Sequence, residues 1–177
     1  MAASRRAVLR PFRGLSPRVH ESAYVSASAY VIGDVEIGAE SSVWPGVVIR
    51  ADRQKITIGQ RTNIQDNSVV HTNRHFPLTI GGEVMVGHGA VIHCTRLGDH
   101  VLVGNNATLL DEVEIDEFCI IAAGTVVPPG MKVPRGSFVV GVPGQVRGPL
   151  TEAQWARLRR QGEGYVQLAR EYREAGL

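Results

Sequence analysis

The chain has 177 residues, which makes one domain the default. Hydrophobic residues are 44%, charged residues 20% and aromatics 6%, with 20 glycines, so a soluble fold with many tight corners around small aliphatics is expected. The net charge of +2, with no basic tract interleaved with aromatics, argues against nucleic acid; no apolar run is long enough for a membrane span; and two cysteines, Cys94 and Cys119, make no disulfide framework, so a reduced, cytoplasmic setting is expected.

Residues 1–20 carry Arg5, Arg6, Arg10, Arg13 and Arg18, and no acid precedes Glu21. Transit peptides share that bias. The run A-V-L-R-P-F-R-G, however, alternates and ends in a turn, which favours an ordered N-terminal strand.

From residue 25 an aliphatic side chain recurs every six positions. The series is Val25, Val31, Ile37, Val43, Ile49, then Ile58, Ile64, Val70, then Ile80, Val86, Ile92, then Leu97, Val103, Leu109, Ile115, Ile121, Val127, Val133, Val139. A period of six fits neither a helix nor a hairpin array. Hexapeptide periods signal a parallel β-helix, in which each repeat gives a short strand and a corner, and a few repeats close one coil. The expected fold is all-β, with the repeated aliphatics stacked as the core and coils about 4.8 Å apart. Residues 1–149 form this β-helix domain with its N-terminal strand.

The register breaks mark insertions. Extra residues fall around Asp52-Arg53-Gln54-Lys55 and around Thr72 to Pro77, and both are expected to bulge outward as loops, where function tends to sit. Beyond Gly148-Pro149, Thr151-Glu152-Ala153-Gln154 reads as a capping box, and Trp155, Leu158, Tyr165, Leu168 and Tyr172 form an apolar stripe at helical spacing. A C-terminal α-helix over 150–177 is expected to pack on the β-helix, bent or interrupted at Gly162 and Gly164.

The same register fixes three histidines. His71 and His93 each follow an inward aliphatic, one coil apart, so they stack in one outward column. Arg50 precedes His71 in that column. His88 sits at a corner one face earlier and cannot easily meet the pair within one triangular coil. In a threefold trimer the corner of one subunit meets the face of the next. Two histidines from one chain and one from its neighbour would then leave a fourth position open, as in a catalytic zinc site.

At R-A-D (50–52), N-I-Q-D (63–66), His71 and V-G-H-G-A-V-I-H-C (86–94) the chain resembles gamma-class carbonic anhydrases. The runs I-A-A-G-x-V-V-P-P-G (121–130) and G-V-P-G (141–144) extend the resemblance, which covers about residues 8–173. It implies a left-handed β-helix and a homotrimer. It implies Zn2+ or Fe2+ on His71, His93 and the neighbour's His88, and a lyase that reversibly hydrates carbon dioxide to bicarbonate through metal-activated water. It also implies that Arg50 and Asp52 brace the subunit interface, that Asp66 is a further interface acid, and that Gln65 holds the reactive water with support from Asn63. Tyr165 either reaches the site or packs in the helical stripe.

The chain departs from the family pattern at two places. Arg53 stands where other members carry a glutamate, and the 72–79 loop, T-N-R-H-F-P-L-T, has no acid. His75 is then either a proton relay or a plain loop histidine. Two other functions stay open on the sequence: a hexapeptide-repeat acyltransferase with a histidine base, and a catalytically weak metal-binding or assembly module of the same fold.

Overall fold

The computed structural model describes residues 8–177, so Arg5 and Arg6 lie outside it. The repeat gives the expected fold, a left-handed parallel β-helix with helices at its C-terminal end. Strands one coil apart pair in parallel, and the aliphatics align. One face carries Val31, Ile49, Val70, Ile92, Leu109 and Val127. The second carries Val43, Ile64, Val86, Val103, Ile121 and Val139. The third carries Ile37, Ile58, Ile80, Leu97, Ile115 and Val133. All of these are buried, and Val25 is partly buried beside them. Burial of each aliphatic contributes roughly 1.5–3 kcal/mol, so this stack is the main source of stability.

Hydroxyls two residues before the core positions stitch coil to coil. Ser41 donates to the Gly59 carbonyl at 2.7 Å, Thr62 to Gly81 at 2.8 Å and Ser68 to Gly87 at 2.9 Å. Small residues are needed there because each lies inside the coil and its hydroxyl must find a backbone partner.

One corner column sits in the left-handed region: Glu40, Arg61, Glu83, His100, Phe118 and Gly136. From Arg61 onward each residue donates its backbone N–H to the coil before. Their side chains form two ladders. Arg61 pairs with both Glu40 and Glu83, while His100 stacks on Phe118 at 4.5 Å and Phe118 on Trp155 at 4.9 Å. These contacts and backbone bonds offset the roughly 1–2 kcal/mol that a side chain costs in this conformation.

The N-terminal strand is present, since Val8–Arg10 and Arg18–Val19 both pair in parallel with Tyr30–Ile37. Only one of the two insertions is a loop. Residues Val48–Ile58 run as one unbroken strand around a corner, joining two faces into a single twelve-stranded sheet. Pairing passes from Gly33↔Ala51 to Val35↔Ile56, so the extra residues bulge opposite Asp34. The expected loop fails because Tyr30–Ile37 also runs through the corner and pairs with the strand on both sides of the bulge. The second insertion, 72–77, does leave the ladder.

Two helices follow the antiparallel strand Gln145–Pro149: α1 (Glu152–Leu158) and α2 (Gln161–Glu174). Thr151 and Gln154 form the capping box of α1 as read from sequence. The break comes at Arg159-Arg160, before Gly162 and Gly164. Gln161 anchors α2 there by donating to the carbonyls of Glu83 (2.8 Å) and Val101 (3.1 Å). Gly162 lies inside the first turn of α2, where a Cβ would crowd the Glu83 carboxylate and meet the Arg61 carbonyl at 3.2 Å. The turn resets the helical phase, so Val166 and Ala169 are buried while Leu168 of the expected stripe is exposed. Among the described residues no helix is long and apolar enough to cross a membrane. Cys94 and Cys119 are buried free thiols, and burial pushes Cys94 up to about 12.

Candidate metal centre

The outward column on one face brings four predicted residues together. Arg50 pairs in register with His71, and His93 lies one coil further on. Arg50 donates to Asp52 Oδ2 at 2.6 Å, and Asp52 Oδ1 lies 3.0 Å from His71 Nε2. His71 Nδ1 faces His93 Nε2 at 3.1 Å, with ring centroids 5.1 Å apart. Burial disfavours the Asp52 carboxylate, but hydrogen bonds from His71 and Arg50 and the Arg50 charge outweigh it and hold its pKa down. Burial, and then the charge of Arg50, hold His71 below the usual histidine value against the pull of Asp52. The neutral imidazole, which is the ligand form, is therefore favoured.

An ionised carboxylate only accepts, so Asp52 fixes the His71 proton on Nε2 and leaves the Nδ1 lone pair toward His93. His93 has a carboxylate behind it too, with Asp111 Oδ1 3.3 Å from Nδ1. If Asp111 keeps the His93 proton on Nδ1 as Asp52 keeps that of His71 on Nε2, two lone pairs face each other across 3.1 Å. A positive centre, a proton or a metal ion, relieves that repulsion. Imidazoles backed by carboxylates suit zinc or ferrous iron.

The remaining predicted residues form a second cluster at a different corner. His88 occupies the turn at Gly87–Gly89, half exposed, with Nδ1 2.9 Å from Asp66 Oδ2. Gln65 and Asn63, next to Asp66 in sequence, are buried, and Gln65 Nε2 donates to Asn63 Oδ1 at 3.0 Å. The buried Asn63 Nδ2 has no partner among the described residues. Tyr165 packs as the helical stripe predicts and lies next to Gln65. Its ring packs edge-on to Trp44 at 5.8 Å, and its hydroxyl contacts Gln65. Burial first, then the Asp66 charge, push that hydroxyl's pKa up, while the Gln65 contact works against them.

One chain does not unite the clusters. Among the described residues no three His, Cys, Asp or Glu side chains stand close enough to share a metal. His75 lies exposed on the 72–77 loop, its backbone N–H held by Asn73 Oδ1 at 2.9 Å. Two residues absent from the sequence reading touch the first cluster, Asp111 and Asn73, with Asn73 Nδ2 3.0 Å from Asp111 Oδ1. No local motif marks Asp111. Its only signal is its position, about one coil beyond His93.

The family model described as bacterial transferase hexapeptide (six repeats) matches residues 94–129. A probable carbonic anhydrase of Methanocaldococcus jannaschii is 44% identical over 151 residues, covering 85% of this chain and 95% of that one. Gamma carbonic anhydrase 2, mitochondrial, of Arabidopsis thaliana is 39% identical over 160 residues, covering 87% of this chain. The chain spans only 58% of that plant relative's length. The crystal structure of a hexapeptide transferase family protein from Anaplasma phagocytophilum superposes with a TM-score of 0.89 at 38% identity, over 93% of this chain and 98% of that one. Identity of 39–44% to carbonic anhydrases over 85–87% of the chain, joined to the matching coil architecture, places the chain in the gamma-class carbonic anhydrase family of hexapeptide-repeat proteins.

Proposed function

We propose that this chain is a metal-dependent carbonic anhydrase-like lyase, which acts as a homotrimer on carbon dioxide and bicarbonate. The observation that carries the reading is the split site. The His71–His93 pair and the His88–Gln65 cluster lie on different parts of one chain and share no metal-sized group among its described residues, and in this reading they complete each other between copies. An outward apolar column runs beside the histidine pair: Tyr30, Val48, Val69 and Val91, aligned by strand register. Tyr30 is 40% and Val69 39% exposed in the single chain, which suits a face covered by a neighbour.

In this reading His71, His93 and the neighbour's His88 hold zinc or ferrous iron. Bound there, such an ion would lower the pKa of a coordinated water toward neutrality. Asp52 keeps the His71 ring in the ligating tautomer, and Arg50 holds Asp52 in place. Gln65 is braced on its amide nitrogen side by Asn63 and Tyr165, which leaves its carbonyl oxygen to orient a water. Asn63 Nδ2 is a further donor aimed from a buried position. Tyr165 flanks Gln65, and its raised pKa keeps the hydroxyl protonated at neutral pH.

Carbon dioxide hydration after zinc loading, and after anaerobic ferrous loading, tests the proposal. Activity that follows metal content and disappears on chelation supports it. The transferase naming of the matched repeat and of the superposed structure supports a second reading, acyl transfer with a histidine base. Saturable binding of an acyl-CoA by protein inert toward carbon dioxide in every metal form would favour that alternative.

A further inference from the structure

We infer that Asp111, held by Asn73, is a positioning residue for His93, and that it ties the 72–77 loop to the metal-binding pair. The inference rests on the metal reading above and concerns groups that reading does not use. Asp52 backs His71 from the coil below. Asp111 approaches His93 from the coil above, 3.3 Å from Nδ1, a longer contact than the 3.0 Å hydrogen bond of Asp52 to His71. A carboxylate there holds a proton on Nδ1 and directs the Nε2 lone pair at the site, where it faces His71.

Asp111 is itself fixed from two sides. Its backbone carbonyl accepts from Gly130 N at 2.8 Å, which sets the corner. Its Oδ1 accepts from Asn73 Nδ2 at 3.0 Å. The same Asn73 presents Oδ1 to the N–H groups of His75 (2.9 Å) and Phe76 (3.0 Å), so one side chain folds the loop and steadies the carboxylate. The other insertion grips the same loop. Gln54 N donates to Thr72 Oγ1 at 3.2 Å, and Gln54 Nε2 to the Arg74 carbonyl at 3.0 Å. The two insertions that interrupt the repeat thus lock together around the histidine pair, and Asn73–Asp111 is the link that reaches a ligand.

The test has two independent readouts on purified full-length protein. The first is the nitrogen-15 spectrum of the His93 ring in metal-free protein at mildly alkaline pH. Wild type is expected to carry the proton on Nδ1, and Asp111→Ala to lose it. Asp111→Asn, whose amide oxygen still accepts, is expected to keep it. The second is zinc affinity by chelator competition. Asp111→Ala is expected to weaken zinc by about 10- to 100-fold, the usual effect of losing an outer partner of a ligand. Asn73→Ala is expected to act in the same direction by less. A His93 Nδ1 signal unchanged in Asp111→Ala overturns the inference, as does zinc affinity equal to wild type. If wild type itself binds no zinc, the metal reading fails, and the ring spectrum alone still decides whether Asp111 sets His93.

Discussion

At the scale of single residues, the corner column shows how two demands can fall on one position. Gly136 has φ 74°, and a Cβ there would lie 2.9 Å from the Trp155 ring. Other corners of the column accept side chains at φ 54–56°, so the conformation alone is tolerated. The close approach of Trp155 makes glycine necessary. Gly136→Ala should therefore lower stability by about 2 kcal/mol or more, adding displacement of a packed ring to the left-handed cost. Gly130→Ala, at φ 70° with nothing within 4 Å, should cost only about 1 kcal/mol. Urea unfolding of the two variants checks the ranking; equal losses would show that Trp155 does not matter. In the second cluster, Gln65→Ala should keep metal and assembly but lower hydration by roughly 10- to 100-fold, the scale of one positioned hydrogen-bonding group. A rate equal to wild type, at equal metal content, would remove Gln65 from the chemistry.

At the scale of elements, the C-terminal helices are held by an aromatic cluster and by ions. Tyr172 of α2 packs edge-on to Trp44 at 5.0 Å and to Tyr24 at 5.8 Å. Glu40 pairs with Arg170 of α2 and with Arg61 of the corner ladder. The hydrogen bond from Arg170 leads in holding the Glu40 pKa below the ordinary 4.5, against a desolvation effect. A carboxylate depressed on folding stabilises the protein above its unfolded pKa, and that stabilisation is lost as pH falls through the folded value. Glu40→Gln should therefore cost up to about 1 kcal/mol at neutral pH, a modest figure because Arg170 is largely exposed. The deficit relative to wild type should shrink as pH drops below 4.5. Thermal melts across that range read it directly, and a deficit independent of pH would assign the loss to packing instead. The capping box of α1 was legible because Thr151 and Gln154 act within four residues of chain. The break between the helices was not, because Gln161 is anchored by carbonyls of Glu83 and Val101, which only the coil brings near.

At the scale of the whole molecule, the proposed sharing of the site between copies would make metal binding depend on assembly. Val69 sits in the middle of the exposed apolar column, between Val48 and Val91. A charge placed there costs little in a lone chain and several kcal/mol once a neighbour covers it. Val69→Asp should shift the protein to monomers by light scattering and strip its metal in parallel, while its β-rich circular dichroism persists. A folded monomer that still binds one zinc per chain with wild-type affinity would falsify the shared site.

The sequence by itself determined the coil, because a strict period of six leaves one inward residue per strand and burial of that residue is the dominant energy. It also determined which residues share a column: the stacking of Arg50, His71 and His93 follows from register alone. Only the tertiary structure decided what the register breaks become. Both insertions look alike in sequence, yet one stays within a strand, because pairing with Tyr30–Ile37 resumes at Val35↔Ile56 just past the bulge, and the other leaves the ladder as a loop. It also decided the partners of His93. Asp111 and Asn73 lie on separate coils and come together through hydrogen bonds between side chains. A repeat pattern constrains where a side chain starts, and the bonds made at its far end depend on neighbours that are distant in sequence.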